Sequence, residues 1–331
     1  MKKISMRKIF TAGIFSLMAS TGLTSGATAA SCSISGTTSF GYTGAVETCD
    51  VTQAGTYGIT AIGAFGGGYG SEISGDIKLA SGEALTIIVG GAGTGYYSGE
   101  TGGGGSFVFQ GTGSVAIPLV VGGGGGGIGF GDVGYYANSA SLNVNGASDY
   151  SGTNSGGTNG GNGSGTIVSG YSVGDQGYGY IAVLSNPTGS SFGSFGGGGE
   201  AENTGVPDGS GYSMWTGGGG GGYSGGGGGA YIGGSVYGGG GGGSYVISSA
   251  TNTSSQLYSG VTYGSSGQVL FSYVSPLSSQ SGSPGPTSPT SIPEPSSLAI
   301  MIAALVGLGG AMFYKWKIGD GDINKNDWQK S

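Results

Sequence analysis

Few residues in this chain could do chemistry. Its 331 residues include no histidine, which excludes imidazole relays and imidazole-ligated metals. Between Ser31 and Ile292 the only basic residue is Lys78, set against twelve Asp and Glu. No GxxxxGK[ST] phosphate loop occurs, and GxGxxG matches carry no information in a chain with 85 glycines. Carboxylates remain. Glu200 and Glu202 form a close acidic pair, and two carboxylates can hydrolyse a glycoside. Their polar surroundings (AENTG) fit a solvated loop better, so no catalytic residue is assigned and the chain reads as non-enzymatic. Scattered acids could hold Ca²⁺ only weakly, and neither a metal site nor a cofactor is expected. Asp320, Asp322, Asn324 and Asp327 approach an EF-hand loop, but Lys325 stands at the turn glycine and Ser331 at the bidentate glutamate.

The same scarcity of cations bears on partners. A surface with one lysine cannot neutralise a phosphate backbone, so no nucleic acid is expected. Cys32 and Cys49 are the only cysteines. In an oxidising compartment they would pair, for roughly 3 kcal/mol of stability. The rival is a lipid on Cys32, which needs an apolar residue three positions earlier, where Ala29 is a poor match.

Both ends carry export signals. Lys2, Lys3, Arg7 and Lys8 precede an apolar stretch, 9–17, and Ala27-Thr28-Ala29 fits a small-x-small cleavage rule with the cut before Ala30 or one residue later. Residues 1–30 therefore read as a signal peptide. Residues 275–292 (SPLSSQSGSPGPTSPTSI) form a Pro/Ser/Gly linker. Uncharged residues 298–314 follow (LAIMIAALVGLGGAMFY), which as a helix would extend about 25 Å, near the lower limit for a bilayer crossing. Lys315 and Lys317 flank this segment and would face the cytoplasm. Residues 318–331 make a polar tail.

Pro293-Glu294-Pro295, placed between linker and apolar segment and followed by a basic flank, resembles the PEP-CTERM sorting domain. That domain would comprise residues 293–317. The resemblance implies export, passage through the inner membrane, processing by an exosortase-like enzyme and association with exopolysaccharide. The chain departs from the family in continuing fourteen residues past Lys317, without an Arg-rich end.

The body, residues 31–274, must position whatever else the protein does. Apolar runs suited to strands fall at 56–64, 85–89, 106–110, 115–121, 181–184, 245–248 and 269–274. Helical periodicity is absent outside the two ends. Their lengths and spacing predict an all-β sandwich. Between them lie blocks of nearly pure glycine at 66–68, 102–105, 122–127, 196–199, 217–222, 225–229 and 238–243. A flexible linker is one reading. Purity and direct attachment to apolar strands favour another, in which extended threefold helices pack side by side because no Cβ keeps them apart. Tyr223, Tyr231 and Tyr237 interrupt these blocks, and either project from the bundle or fill the small core.

Phe40-Gly41-Tyr42-Thr43-Gly44, the stretch 55–64, Leu85-Thr86-Ile87-Ile88-Val89, Leu119-Val120-Val121-Gly122 and Gly243-Ser244-Tyr245-Val246 are together similar to the glycine-rich domain of anaplastic-lymphoma-kinase-type receptors. That resemblance implies a β-sandwich carrying a bundle of polyglycine helices. The expectation is an exported cell-surface or extracellular-matrix structural or adhesive protein, partnered by exopolysaccharide or other surface proteins. The alternative is a carbohydrate- or receptor-binding surface module.

Overall fold

Strands form here where apolar and small or polar residues alternate. In β4 (Gly55–Ile62) Tyr57, Ile59 and Ala61 are buried, with Thr56, Gly58 and Thr60 between them partly exposed. β5 (Ser71–Leu79) buries Ile73, Ile77 and Leu79 and turns Glu72, Asp76 and Lys78 outward. The two pair antiparallel without interruption from Gly55↔Leu79 to Ile62↔Glu72, which sets Tyr57 against Ile77 and Ala61 against Ile73.

The computed structural model describes residues 30–32, 36–95, 100–131, 137–165, 174–186, 192–260 and 262–277, all within the unit Met1–Ser278. Two sheets dominate. One runs in the order β16 (Thr251–Leu257), β5, β4, β17 (Gln268–Pro276), β2 (Thr37–Gly41). The other runs β1 (Ala30–Cys32), β3 (Glu47–Val51), β6 (Ala84–Ile88), β7 (Ser106–Gln110), β8 (Ile117–Gly122), β15 (Tyr245–Val246). Pairing is antiparallel except for β1 on β3. Short hairpins join β9 (Phe192–Ser194) to β10 (Gly198–Gly199), β11 (Glu202–Pro207) to β12 (Ser213–Thr216), and β13 (Tyr231–Ile232) to β14 (Ser235–Val236). The expected all-β class is what the described residues adopt. Among them no helix is long and apolar enough to cross a membrane. The expected span at 298–314 lies outside the described residues, as do the signal residues before Ala30, the linker from 278 on and the polar tail.

The two sheets share one core. Tyr57, Ile59, Ile73, Ile77, Val269 and Phe271 come from the first, and Cys49, Leu85, Ile87, Val108 and Val120 from the second. Phe40 meets Phe271 edge-on at 5.8 Å. Tyr57 is wholly buried yet its hydroxyl donates to the Gln53 carbonyl at 2.7 Å. Cys32 and Cys49 are joined as a disulfide inside this core, with Cα atoms 5.4 Å apart.

The outer face of the second sheet carries a smaller cluster, Ile88, Phe107, Phe109 and Val121, covered by α1 (Tyr180–Ser185). A strand was expected at 181–184, and a helix stands there instead. A run of four apolar residues fits either state. The helix places Tyr180, Val183 and Leu184 together on the cluster and leaves Ile181 half-exposed, the i, i+3, i+4 spacing that a strand would lack.

Most of the glycine blocks are extended segments bonded through their backbones, whereas 66–68 bends at Gly67 and 196–199 begins in a turn, with positive φ at Gly67, Gly196 and Gly197. Segment 217–222 is the hub. The amides of Gly217 and Gly220 donate to Tyr237 and Gly240 at 3.2 and 2.7 Å. Those of Gly218 and Gly221 donate to Glu100 and Gly103 at 3.0 and 2.9 Å, and those of Gly219 and Gly222 to Asp175 and Tyr178 at 2.8 and 3.3 Å. Every third amide thus addresses the same neighbour, in rotation among three. Three further neighbours donate to the hub's carbonyls: Gly229 and Gly226 to Gly217 and Gly220, Gly127 and Gly124 to Gly218 and Gly221, and Gly199 to Gly219.

These six neighbours also bond to one another around the ring. The links run Gly102 to Gly199, Asp175 to Glu200, Gly177 to Gly226, Gly240 to Gly227, Gly239 to Gly127 and Gly103 to Gly125, all between 2.7 and 2.9 Å. Buried amides are thereby satisfied without a sheet. The packing requires glycine sterically. A Cβ on Gly220 would press into the carbonyl oxygens of Gly124 and Gly125 and the amide of Gly242.

Candidate functional site

One end of the ring gathers acidic side chains. Three neighbouring segments end there: one begins at Glu100, one carries Asp175, and one leads through Gly199 into Glu200 and Glu202. The carboxylate oxygens of Asp175, Glu200 and Glu202 lie within 4.8 Å of one another, and all three residues are half-buried. Backbone bonds hold them: the Asp175 amide donates to the Glu200 carbonyl at 2.9 Å, and the Thr216 hydroxyl to the Glu202 carbonyl at 3.3 Å. Burial, then the charge of Glu200, pushes the Asp175 carboxyl above its ordinary range. Burial, then Asp175 and Glu200, does the same to Glu202.

Glu200 and Glu202 are therefore not the solvated loop pair that their neighbours in sequence imply. The missing member was Asp175, which no local spacing connects to them. Chemically, the cluster can share a proton, and its oxygens are of the type a hard cation takes.

Glu100 is a separate case. It is 1 % exposed, and neither carboxylate oxygen has a hydrogen-bond partner among the described residues. Its carboxyl lies over Gly67, where φ is +105° and a Cβ would collide with it. Burial raises its pKa from 4.5 to about 7, against a weaker opposing pull from the Ile128 amide. Sequence gives no warning, because GETGGG reads as an ordinary polar turn.

An aromatic column climbs from the outer sheet face. Phe107 stacks on Phe109 at 5.7 Å, Phe109 meets Tyr180 at 6.4 Å, Tyr180 stacks on Tyr223 at 4.9 Å, and Tyr223 on Tyr245 at 4.5 Å. Tyr223 thus packs within a cluster. Burial, followed by Tyr180 and Tyr245, raises the phenol pKa of Tyr223, and burial, followed by Tyr180, raises that of Tyr245. Tyr231 and Tyr237 are half-buried, whereas Tyr212 and Tyr263 are more than half exposed.

Of the residues singled out for export, Ala30 opens β1. Ala27, Ala29, Pro293, Glu294, Pro295, Lys315 and Lys317 lie outside the described residues. No family model matches the chain, and no curated protein matches it.

Proposed function

We propose that this chain is an exported, non-enzymatic protein of the cell surface or extracellular matrix, with a structural or adhesive role. The observation that carries the reading is the order of its C-terminal segments: a Pro/Ser/Gly linker, Pro293-Glu294-Pro295, seventeen uncharged residues at 298–314, and Lys315 with Lys317. An N-terminal signal ending at Ala27-Thr28-Ala29 accompanies it. In this reading the inner membrane holds the chain until an exosortase-like enzyme acts near Pro295, and exopolysaccharide or other surface proteins are its final surroundings.

The body suits such a role. We read it as a β-sandwich carrying a polyglycine II bundle, which the threefold rotation of hydrogen-bond partners and the six-membered ring support. A bundle held by its own backbone needs no metal or cofactor to be rigid. The lack of histidine favours a non-catalytic role. A second reading, a carbohydrate- or receptor-binding surface module, is favoured by the exposed rings of Tyr212 and Tyr263.

Mass spectrometry of both termini, on protein from surface and secreted fractions of the native host, tests the first reading. Loss of the first 29 or 30 residues and a C-terminus near Pro295 is the expected result. An intact chain held in the membrane through 298–314 would overturn sorting and leave an anchored ectodomain.

A further inference from the structure

Where segment 238–243 runs into β15, the two sheets present their edges to each other. β15 ends one sheet and β16 the other, and between them lies a groove of about 340 Å³. That size falls within the roughly 300–1,000 Å³ typical of small-ligand sites. Ile73 and Val246 supply its apolar floor, and segment 142–144 forms a third wall. On that wall Leu142 and Val144, 40 % and 42 % exposed, flank Asn143.

The polar lining has unspent capacity. The Asn143 carboxamide and the hydroxyls of Thr253 and Ser255, which share the Ile73 face of β16, have no hydrogen-bond partner among the described residues. Main-chain groups add to them. Ile247 donates to Leu119 at 2.8 Å, and Tyr245 is registered on Val121, so the ladder alternation turns the Val246 amide and carbonyl to the open edge. Among the described residues that line it none is charged, although the chain holds 16 acids.

The walls are fixed in advance. Ser141 donates to Gly242 at 2.9 Å, Ser244 to the Asn143 carbonyl at 2.8 Å, and the Ser244 hydroxyl to the Ser141 carbonyl at 2.6 Å. A prearranged site loses less freedom on binding.

We propose that this groove binds an uncharged saccharide, of the size of one or two pyranose rings. Sugar hydroxyls both donate and accept, as do Asn, Ser and Thr, while ring C–H faces match Leu142, Val144 and Ile73. An acidic sugar would shed its water with no countercharge in the groove. A wholly apolar ligand would leave the carboxamide and two hydroxyls without partners. The inference takes from the surface-protein reading only the source of the glycan.

The test uses the purified full-length chain with disaccharides of glucose, galactose, mannose and N-acetylglucosamine, an acidic digalacturonate and a Ser/Thr-rich extended peptide. Saturation-transfer NMR detects binding and calorimetry measures it. At least one neutral disaccharide should bind, with an affinity that salt leaves unchanged. Val144→Arg, which fills the groove, and the double change Asn143→Ala with Ser255→Ala should each weaken it about tenfold or more at an unchanged melting temperature. The proposal is overturned if no neutral disaccharide binds, if only the acidic sugar or the peptide does, or if both variants bind as the parent does. The terminal processing measured in the native host is independent. Binding without processing removes the sorting reading alone, and processing without binding removes the groove alone.

Discussion

The paired sheets and the glycine ring bury backbone by opposite means. In the sheets, hydrogen bonds repeat every second residue within a plane, and side chains such as Ile59 and Phe271 fill the space between planes. In the ring, bonds repeat every third residue in three directions, and space is filled by bringing backbones into contact. The sheet core therefore responds to volume. A glycine segment responds to the presence of any Cβ, and hardly to the identity of what it touches.

This contrast can be broken by moving single methyl groups. Gly220→Ala adds one at the hub, where three backbone atoms of neighbouring segments already occupy the space. It should cost about 4 kcal/mol in urea unfolding and speed amide exchange across the ring. A loss below about 1 kcal/mol would mean the segments can part, and the contrast would fail. Replacing Cys32 and Cys49 together by serine cuts the crosslink in the sheet core, and should cost about 3 kcal/mol without altering exchange in the ring.

Glu100 sharpens the comparison from the ring's side. Its folded pKa, about 7, stands above its ordinary 4.5, so the folded state holds the extra proton between those values. Stability should therefore be full below about pH 4.5 and fall as pH rises, by roughly 3 kcal/mol by about pH 8. Asp175 and Glu202, also raised, act in the same direction. Glu100→Gln should flatten most of this slope and raise stability by about 2 kcal/mol near pH 8 with little effect near pH 4. An unchanged slope in thermal melts would show that the carboxyl is not the group responsible. The smallest effect belongs to the sheets: Ile59→Val removes one methyl from a fully buried side chain, and should cost about 1 kcal/mol.

The sequence was most readable where side chains carry the signal. The run 106–110 coincides with β7, and 56–64 and 85–89 fall within two residues of β4 and β6. β5 also alternates, through Ile73, Ile77 and Leu79, but its charged and glycine positions obscured the run. β16 (TNTSSQL) holds six polar residues and one leucine, all exposed. It is a strand because β5 offers it an edge, which no composition of its own could announce. The glycine blocks could be recognised as packing segments, but not which block neighbours which, since identical residues carry no register. That is also why Asp175 could not be joined to Glu200 and Glu202, or the edges of β15 and β16 to one groove: both depend on the order of segments around a ring and across two sheets.

The rotation of partners around segment 217–222 has a consequence for how such a chain can change length. Deleting or inserting three glycines moves a segment by one full turn and restores every amide to the neighbour it had. Adding or removing one or two turns all later amides by a third or two thirds of a turn, onto carbonyls already taken. Variants that differ in whole triplets of glycine should therefore keep the ring, and single-residue slips should undo it, so that the spacing of this domain is counted in threes.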